Sequence, residues 1–435
     1  MLRNLLLVLT FSFFIKNISA QNLYFPPLTG DAWETISPDD LDWCQEKIDS
    51  LYNFLDANNS KGFIVLKDGK IVLEKYFDSF TKDSIWYYAS AGKSVVAMLT
   101  GIAQSQGILD IHDSTNEYLG TGWTECTPEQ EDSITIWHQI TMTTGLDEDK
   151  NTPDKNCLDP ECLQYLVPPG TRWDYFNAPY RLTQDVLAAA SGQNFNLYFR
   201  QALASKIGMT GLWFNYVLYG RVRDAARFGL FTLAKGNWDG NPIMPDLDYY
   251  NEMVNTSQSM NKSYGYLWWL NGKESAKLPG LQFDFPGSLI TNAPDDMFAA
   301  LGKDDQKIYV VPSQNMVVVR MGESAGGFNP ALSSFDNELW GRISDLECTT
   351  STNQVLNSDE FGIMPNPVHN SFMLKSPYPI LSLKILTLDG KELDAEIGSG
   401  TTVQNVSFLT NAAPGIYILR IETENGFAIK KIVRN

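Results

Sequence analysis

Histidine is scarce in this chain: 435 residues carry three, His112, His138 and His369, with no close spacing among them. Zinc sites group His and Cys ligands within a few positions, so no metal centre is expected. The same shortage weakens any Ser-His-Asp triad. Positive charge is short too, with 33 Lys and Arg against 51 Asp and Glu, for a formal net charge of −18. Nucleic acid is held by a basic stripe that this sequence lacks, which argues against nucleic acid and against polyanionic substrates. Past the N-terminus no apolar run approaches the roughly 20 residues that cross a membrane, so no transmembrane span is expected. Cysteine is limited to Cys44, Cys126, Cys157, Cys162 and Cys348, an odd set that leaves at least one unpaired.

What is present describes globular protein, 43% hydrophobic and 19% charged. Such a balance buries a core and does not suit disorder. The length predicts two or three folding units, or one large domain and a small one.

The N-terminus reads Met1-Leu2-Arg3-Asn4, then an apolar run from Leu5 to Ile15, then Ser19-Ala20. That is the layout of a secretory signal peptide over residues 1–20, and export makes disulfides possible. Cys157 and Cys162 flank a Pro-containing loop and make one pair. Cys44 and Cys348, near the two ends of the large domain, are placed to staple them.

Gly62 to Tyr76 reads as two strands joined by Asp68-Gly69, a strong hairpin signal. Ser94 to Gln106 carries helical spacing and stops at Gly107. Gln306 to Val319 reads as two strands around Pro312-Ser313, and Pro330 to Leu346 is amphipathic. Strands at both ends with helical and loop-rich material between predict an α+β domain over residues 25–348, its terminal segments sharing one antiparallel sheet. Residues 349–358 are polar and aperiodic, a linker. From 359 to 435 only short strand signals recur, including Phe372 to Lys375, Leu383 to Leu388, Val406 to Leu409 and Ile416 to Ile421. They predict a small β-sandwich.

This tail carries Ile363-Met364-Pro365-Asn366-Pro367, Asp389-Gly390-Lys391, Gly415-Ile416-Tyr417 and a closing Lys430-Lys431-Ile432-Val433. With these blocks it resembles the type IX secretion C-terminal sorting domain of Bacteroidota-type bacteria. The resemblance implies an address read by secretion machinery and a protein secreted or held at the cell surface. The alternative, an accessory module that binds carbohydrate or a partner protein, has no visible aromatic platform behind it.

Two sequence features bear on chemistry. In Ser90-Ala91-Gly92-Lys93 the lysine stands one helical turn after the serine, within reach of its hydroxyl. A serine hydroxyl needs an adjacent base, and burial among apolar neighbours turns a lysine into one. Alone the pattern also fits a helix cap followed by a surface lysine. The second is Trp173-Asp174-Tyr175-Phe176-Asn177, where alternation in an extended or looping segment aims Tyr175 and Asn177 the same way, into one cleft. A tyrosine beside a cationic lysine moves a proton from the serine to the leaving group. The bland reading is an aromatic packing patch.

S-x-x-K followed by Y-x-N resembles the β-lactamase/transpeptidase-like serine hydrolases, above all the class C β-lactamase, DD-peptidase and esterase branch. His138-Gln139-Ile140-Thr141-Met142-Thr143-Thr144-Gly145-Leu146 and Arg223-Asp224-Ala225-Ala226-Arg227-Phe228-Gly229 look familial as well. The resemblance implies Ser90 as acylated nucleophile, Lys93 as base, Tyr175 as proton shuttle, and Asn177 as a group orienting Lys93 or the substrate amide. No metal or cofactor is implied. The Ser90 N–H would form half of an oxyanion hole, with the rest from an edge strand bearing the family's K-T-G or H-T-G. Here Phe298 to Gln306 keeps only Gly302 of that motif. Ala300-Leu301 cannot hold a substrate carboxylate, which puts β-lactam hydrolysis in doubt and leaves ester or amide hydrolysis untouched. The degenerate motif is similar to that of 6-aminohexanoate-dimer hydrolase and esterase relatives. Trp173, Trp268 and Trp269 are candidates for an acyl-pocket wall, with core packing expected for at least one.

Gly322-Glu323-Ser324-Ala325-Gly326 is a competing G-x-S-x-G elbow, which would make Ser324 the nucleophile of an α/β-hydrolase-type esterase. That reading needs a later histidine, and only His369 follows. The reading is therefore an exported serine hydrolase acting on a small ester or amide through Ser90. Its alternative is a catalytically silent surface binding protein on the same fold.

Overall fold

The computed structural model describes residues 23–149, 155–326, 334–348, 355–388, 390–393, 395–397, 402–408, 412–423 and 425–435. The expected signal peptide lies outside them. The chain divides into two compact units, Met1–Leu346 and Glu347–Asn435.

In the large unit Asp68 and Gly69, both at positive φ, turn β1 (Ser60–Lys67) into β2 (Lys70–Tyr76). A side chain at Gly69 would meet the Tyr24 carbonyl oxygen at 1.9 Å, so glycine is required there. Four further strands complete the sheet: β3 (Trp269–Leu270), β4 (Phe298–Gly302), β5 (Gln306–Val311) and β6 (Met316–Gly322). The order is β2-β1-β6-β5-β4-β3, antiparallel throughout, with Ile64 opposite Val319. The two ends of the unit thus share one sheet, as the strand pattern predicts.

Every residue of β5 and β6 is buried, because helices cover both faces. Residues two apart on a strand share a face. Ile308 and Val317 look toward α4 (Val222–Leu233), where a Cβ on Gly229 would come within 2.4 Å of Val317. Tyr309 and Arg320 face the other way, toward α5 (Ser334–Ser344), which packs on α1 (Gln45–Ala57) through stacked Phe54 and Phe335 rings 5.4 Å apart. On that side Lys307 lies 3.2 Å from Asp305 and 2.9 Å from Asp336, and the Tyr309 hydroxyl donates to Asp336 at 2.6 Å.

The remaining core helix, α2 (Gly92–Ser105), is buried on every side from Gly92 to Ala103, as a helix apolar all round must be. Beside it α3 (Asn177–Ser191) leads the helical subdomain. Helix α2 begins two residues before the expected Ser94 and ends beside Gly107 at φ +67.

The small unit is a sandwich of two four-stranded antiparallel sheets. Ser371–Lys375 alternates exposed and buried residues, and Phe372, Leu374, Ile385, Val406, Leu419 and Ile432 fill its core. Val355 to Ser358, expected in the linker, belong here instead, for the Leu356 N–H donates to the Phe427 carbonyl at 2.8 Å. The rest of that linker lies outside the described residues. Cys157 and Cys162 form a disulfide, Cys44 and Cys348 are disulfide-bonded too, and Cys126 is free.

Candidate active site

Before α2 the chain makes a single tight turn, Ala89–Ala91, that carries Ser90. Ala89 sits at φ 46, a conformation costly for a residue with a side chain and met most often where function demands it. The turn is anchored by Tyr88, whose N–H donates to the Leu218 carbonyl at 2.8 Å. The end of β4 closes on it from the side. A Cβ on Gly302 would fall 2.5 Å from the Tyr88 carbonyl oxygen and 2.9 Å from the Ala91 nitrogen, so only glycine lets strand and turn meet.

One helical turn on, Lys93 Nζ donates to Ser90 Oγ at 3.0 Å and to Asn177 Oδ1 at 2.9 Å. Asn177 is the first residue of α3 and not part of an extended strand. Tyr175, two residues before it, lines the same cleft as Ser90, near enough for its hydroxyl to interact with the serine's. Its ring stacks on Trp269 at 5.8 Å, and Tyr264 and Trp173 pack edge-on around the pair. Four sequence-predicted residues, Ser90, Lys93, Tyr175 and Asn177, therefore meet, and Gly302 borders the turn that bears the first.

Lys93 is 3% exposed. Burial, with a smaller contribution from the Arg181 charge, lowers its pKa to about 7. Its partners Ser90 Oγ and Asn177 Oδ1 are neutral oxygens, which do not restore the ammonium preference. The ammonium also lies 4.4 Å from the Tyr180 ring centre and 4.8 Å from that of Tyr175. Burial holds both phenols well above their usual range, which keeps them protonated.

These groups line a cleft of about 460 Å³. It also takes in Glu148, Asn156, Tyr180, Arg181, Tyr216 and Lys303, none of which sequence reasoning singled out. Tyr180 and Arg181 follow Asn177 by three and four positions, a helical repeat that points to them once Asn177 is suspected. Glu148 and Tyr216 come from loops and carry no such signal. Burial raises the Glu148 carboxyl above its normal range.

One expectation needs correction, and the competing elbow finds no support. Trp173, Trp268 and Trp269 are all buried and none lines the cleft; Trp173 and Trp269 instead back the Tyr175 ring. Ser324 is exposed at the end of an antiparallel strand, and its Oγ accepts the Gly326 N–H at 3.2 Å. The mostly parallel sheet of an α/β-hydrolase is absent from the described residues. His138 pairs with its own helix cap, Nδ1 lying 2.9 Å from Thr135 Oγ1, and burial lowers its pKa to about 4.

A half-buried serine bonded to a buried lysine beside a tyrosine, at the start of a helix backed by an antiparallel sheet, defines the class: a serine hydrolase with an S-x-x-K site. The chain belongs to the beta-lactamase family, whose model matches residues 59–331. A secretion system C-terminal sorting domain matches residues 362–435, and the protein is exported to the cell surface or beyond. Among solved structures it is similar to a Bacillus anthracis protein described as a 6-aminohexanoate-dimer hydrolase (19% identity, 73% of this chain and 87% of that one, TM-score 0.55). It is similar also to a Bacteroides dorei protein described as a beta-lactamase (17%, 70% and 99%, TM-score 0.56). A family VIII carboxylesterase gives 13% identity over 70% and 98% of the two chains, with a TM-score of 0.53. At these identities the likeness is one of fold. No curated protein matches the sequence.

Proposed function

We propose that the protein hydrolyses an ester or amide through an acyl-enzyme on Ser90. Neutral Lys93 takes the Ser90 proton as Oγ bonds to the substrate carbonyl carbon. The proton passes through the Tyr175 hydroxyl to the leaving alcohol or amine, whose bond to that carbon breaks. Water then attacks the acyl ester by the same route in reverse, returning the proton to Ser90. Asn177 orients Lys93, and the Ser90 N–H with the backbone at the Gly302 end of β4 receives the carbonyl oxygen as it gains charge.

One observation carries the reading: Lys93 Nζ lies 3.0 Å from Ser90 Oγ while its pKa is lowered to about 7. A surface lysine would be protonated and useless as a base. The domain division supports the same account, with chemistry in residues 25–348 and the address in 359–435. Intact mass after treatment of the purified protein with a fluorophosphonate tests it. An adduct on wild type and on Ser324→Ala, but not on Ser90→Ala, is the expected result. An adduct that survives Ser90→Ala sinks the assignment, and no adduct at all favours the silent binding protein.

A further inference from the structure

Two segments that give residues to the cleft also carry a disproportion of exposed apolar surface. One is the small sheet of Leu212–Phe214 and Val217–Gly220, from which Val217, with neighbouring Tyr216, lines the cleft. The other is the loop after Lys277, from which Pro279 and Gly280 line it. Half of the exposed large apolar side chains among the described residues of the large unit fall in these two segments. They are Leu212, Phe214 and Tyr219 in the first, and Leu281, Phe283 and Phe285 in the second.

The register shows that the first set forms one face. Leu212 stands opposite Tyr219, and Phe214 opposite Val217, and cross-strand partners point the same way. Trp213 between them turns inward and is buried, while Phe214 is 71% exposed. Tyr219 in turn pairs with Tyr87, whose hydroxyl donates to Asp304 at 2.6 Å, next to cleft-lining Lys303. The face therefore borders the cleft at Val217 and again near the turn after β4. In the second segment Phe283 and Phe285 meet edge to face at 5.0 Å, with Phe283 63% exposed. The Gln282 side chain donates to the Trp173 carbonyl at 3.0 Å, tying that loop to the irregular segment that bears Tyr175.

An exposed apolar patch of this kind on an exported, acidic protein marks a binding surface. From its continuity with the cleft we propose that it receives an extended aliphatic acyl chain of the substrate, so that the preferred substrates are medium-chain and not acetyl esters. This rests on Ser90 acylation. The chain would leave the carbonyl at Ser90, pass Val217, and lie along Phe214 and Leu212, with the Phe283–Phe285 loop beside it. Each methylene half removed from water on such a surface improves kcat/KM by roughly twofold.

The test is kcat/KM of the full chain for p-nitrophenyl acetate and p-nitrophenyl octanoate, both below their critical micelle concentrations. A wild-type octanoyl-to-acetyl ratio above about tenfold is expected, and Phe214→Ser and Phe283→Ser should each lower that ratio severalfold. A wild-type ratio near one, or a ratio indifferent to both substitutions, overturns the proposal while acetyl turnover that vanishes in Ser90→Ala leaves the acyl-enzyme reading standing. No turnover of either ester in wild type removes both. A change of sedimenting mass in Phe214→Ser without a change in ratio would assign the face to a second copy of the chain. Octanoyl turnover that appears only with phosphatidylcholine vesicles would assign it to a lipid surface; either result overturns the proposal.

Discussion

Two of the lysines that the large unit buries lead opposite lives. Lys307 is 1% exposed and stands between Asp305 and Asp336, its charge matched by carboxylates. Lys93 is 3% exposed and faces Ser90 Oγ and Asn177 Oδ1, which carry no charge. Burial is common to both, so burial alone does not make a base. What differs is the partner: a carboxylate compensates an ammonium in a low dielectric, whereas a hydroxyl and an amide oxygen do not. The fold keeps one lysine to hold β5 against α5 and frees the other to exchange its proton near neutrality.

The contrast breaks most sharply in activity. Ser90→Ala should lower kcat/KM by at least about 10³-fold, and Lys93→Met by about 10²–10⁴-fold, in ester turnover by protein whose circular dichroism matches wild type. Lys307→Met should instead leave activity per folded molecule nearly intact while costing about 3–5 kcal/mol in denaturant unfolding, because two buried carboxylates lose their cation. If Lys93→Met were the less stable of the two, the comparison would be wrong.

The next test is pH. Catalysis needs neutral Lys93, so kcat/KM should rise with pH through about 7. Arg181→Gln removes a charge that lowers that pKa, so the limb should move to higher pH. The stability sign runs the other way from a paired lysine. A folded pKa of about 7 against about 10.4 unfolded means the unfolded chain holds the extra proton between those values. Stability therefore rises across that window, and the advantage of Lys93→Met in melting temperature should be largest below about pH 7 and fade toward pH 10. The smallest effect belongs to an exposed pair. Lys47 lies 3.0 Å from Asp345, whose side chain is 69% exposed, and Lys47→Met should shift stability by no more than about 1 kcal/mol.

Much of this was legible in the residues themselves. The Asp68-Gly69 hairpin, the α2 stripe and the strands flanking Pro312 follow from local periodicity and turn chemistry. The Ser90–Lys93 spacing is a helical repeat, so their contact needs no tertiary knowledge. Bringing Tyr175 and Asn177 to them does need it, and only the family pattern suggested that step. Glu148, Tyr216 and Lys303 stayed hidden because loop positions depend on the whole packing. The tryptophans misled for a related reason: a large ring reads the same in a sequence whether it walls a pocket or props the residue that does.

Ile64 opposite Val319 has a consequence in time. Contacts between distant parts of a chain are slow to form. The centre of the sheet cannot zip until Met316–Gly322 has emerged, and Gly302, which closes on the Ser90 turn, arrives only shortly before. A partly synthesised or truncated chain thus has the serine and the lysine but no scaffold to press them together. The hydrolase should gain its activity late, and a fragment that stops short of Met316 should be inert.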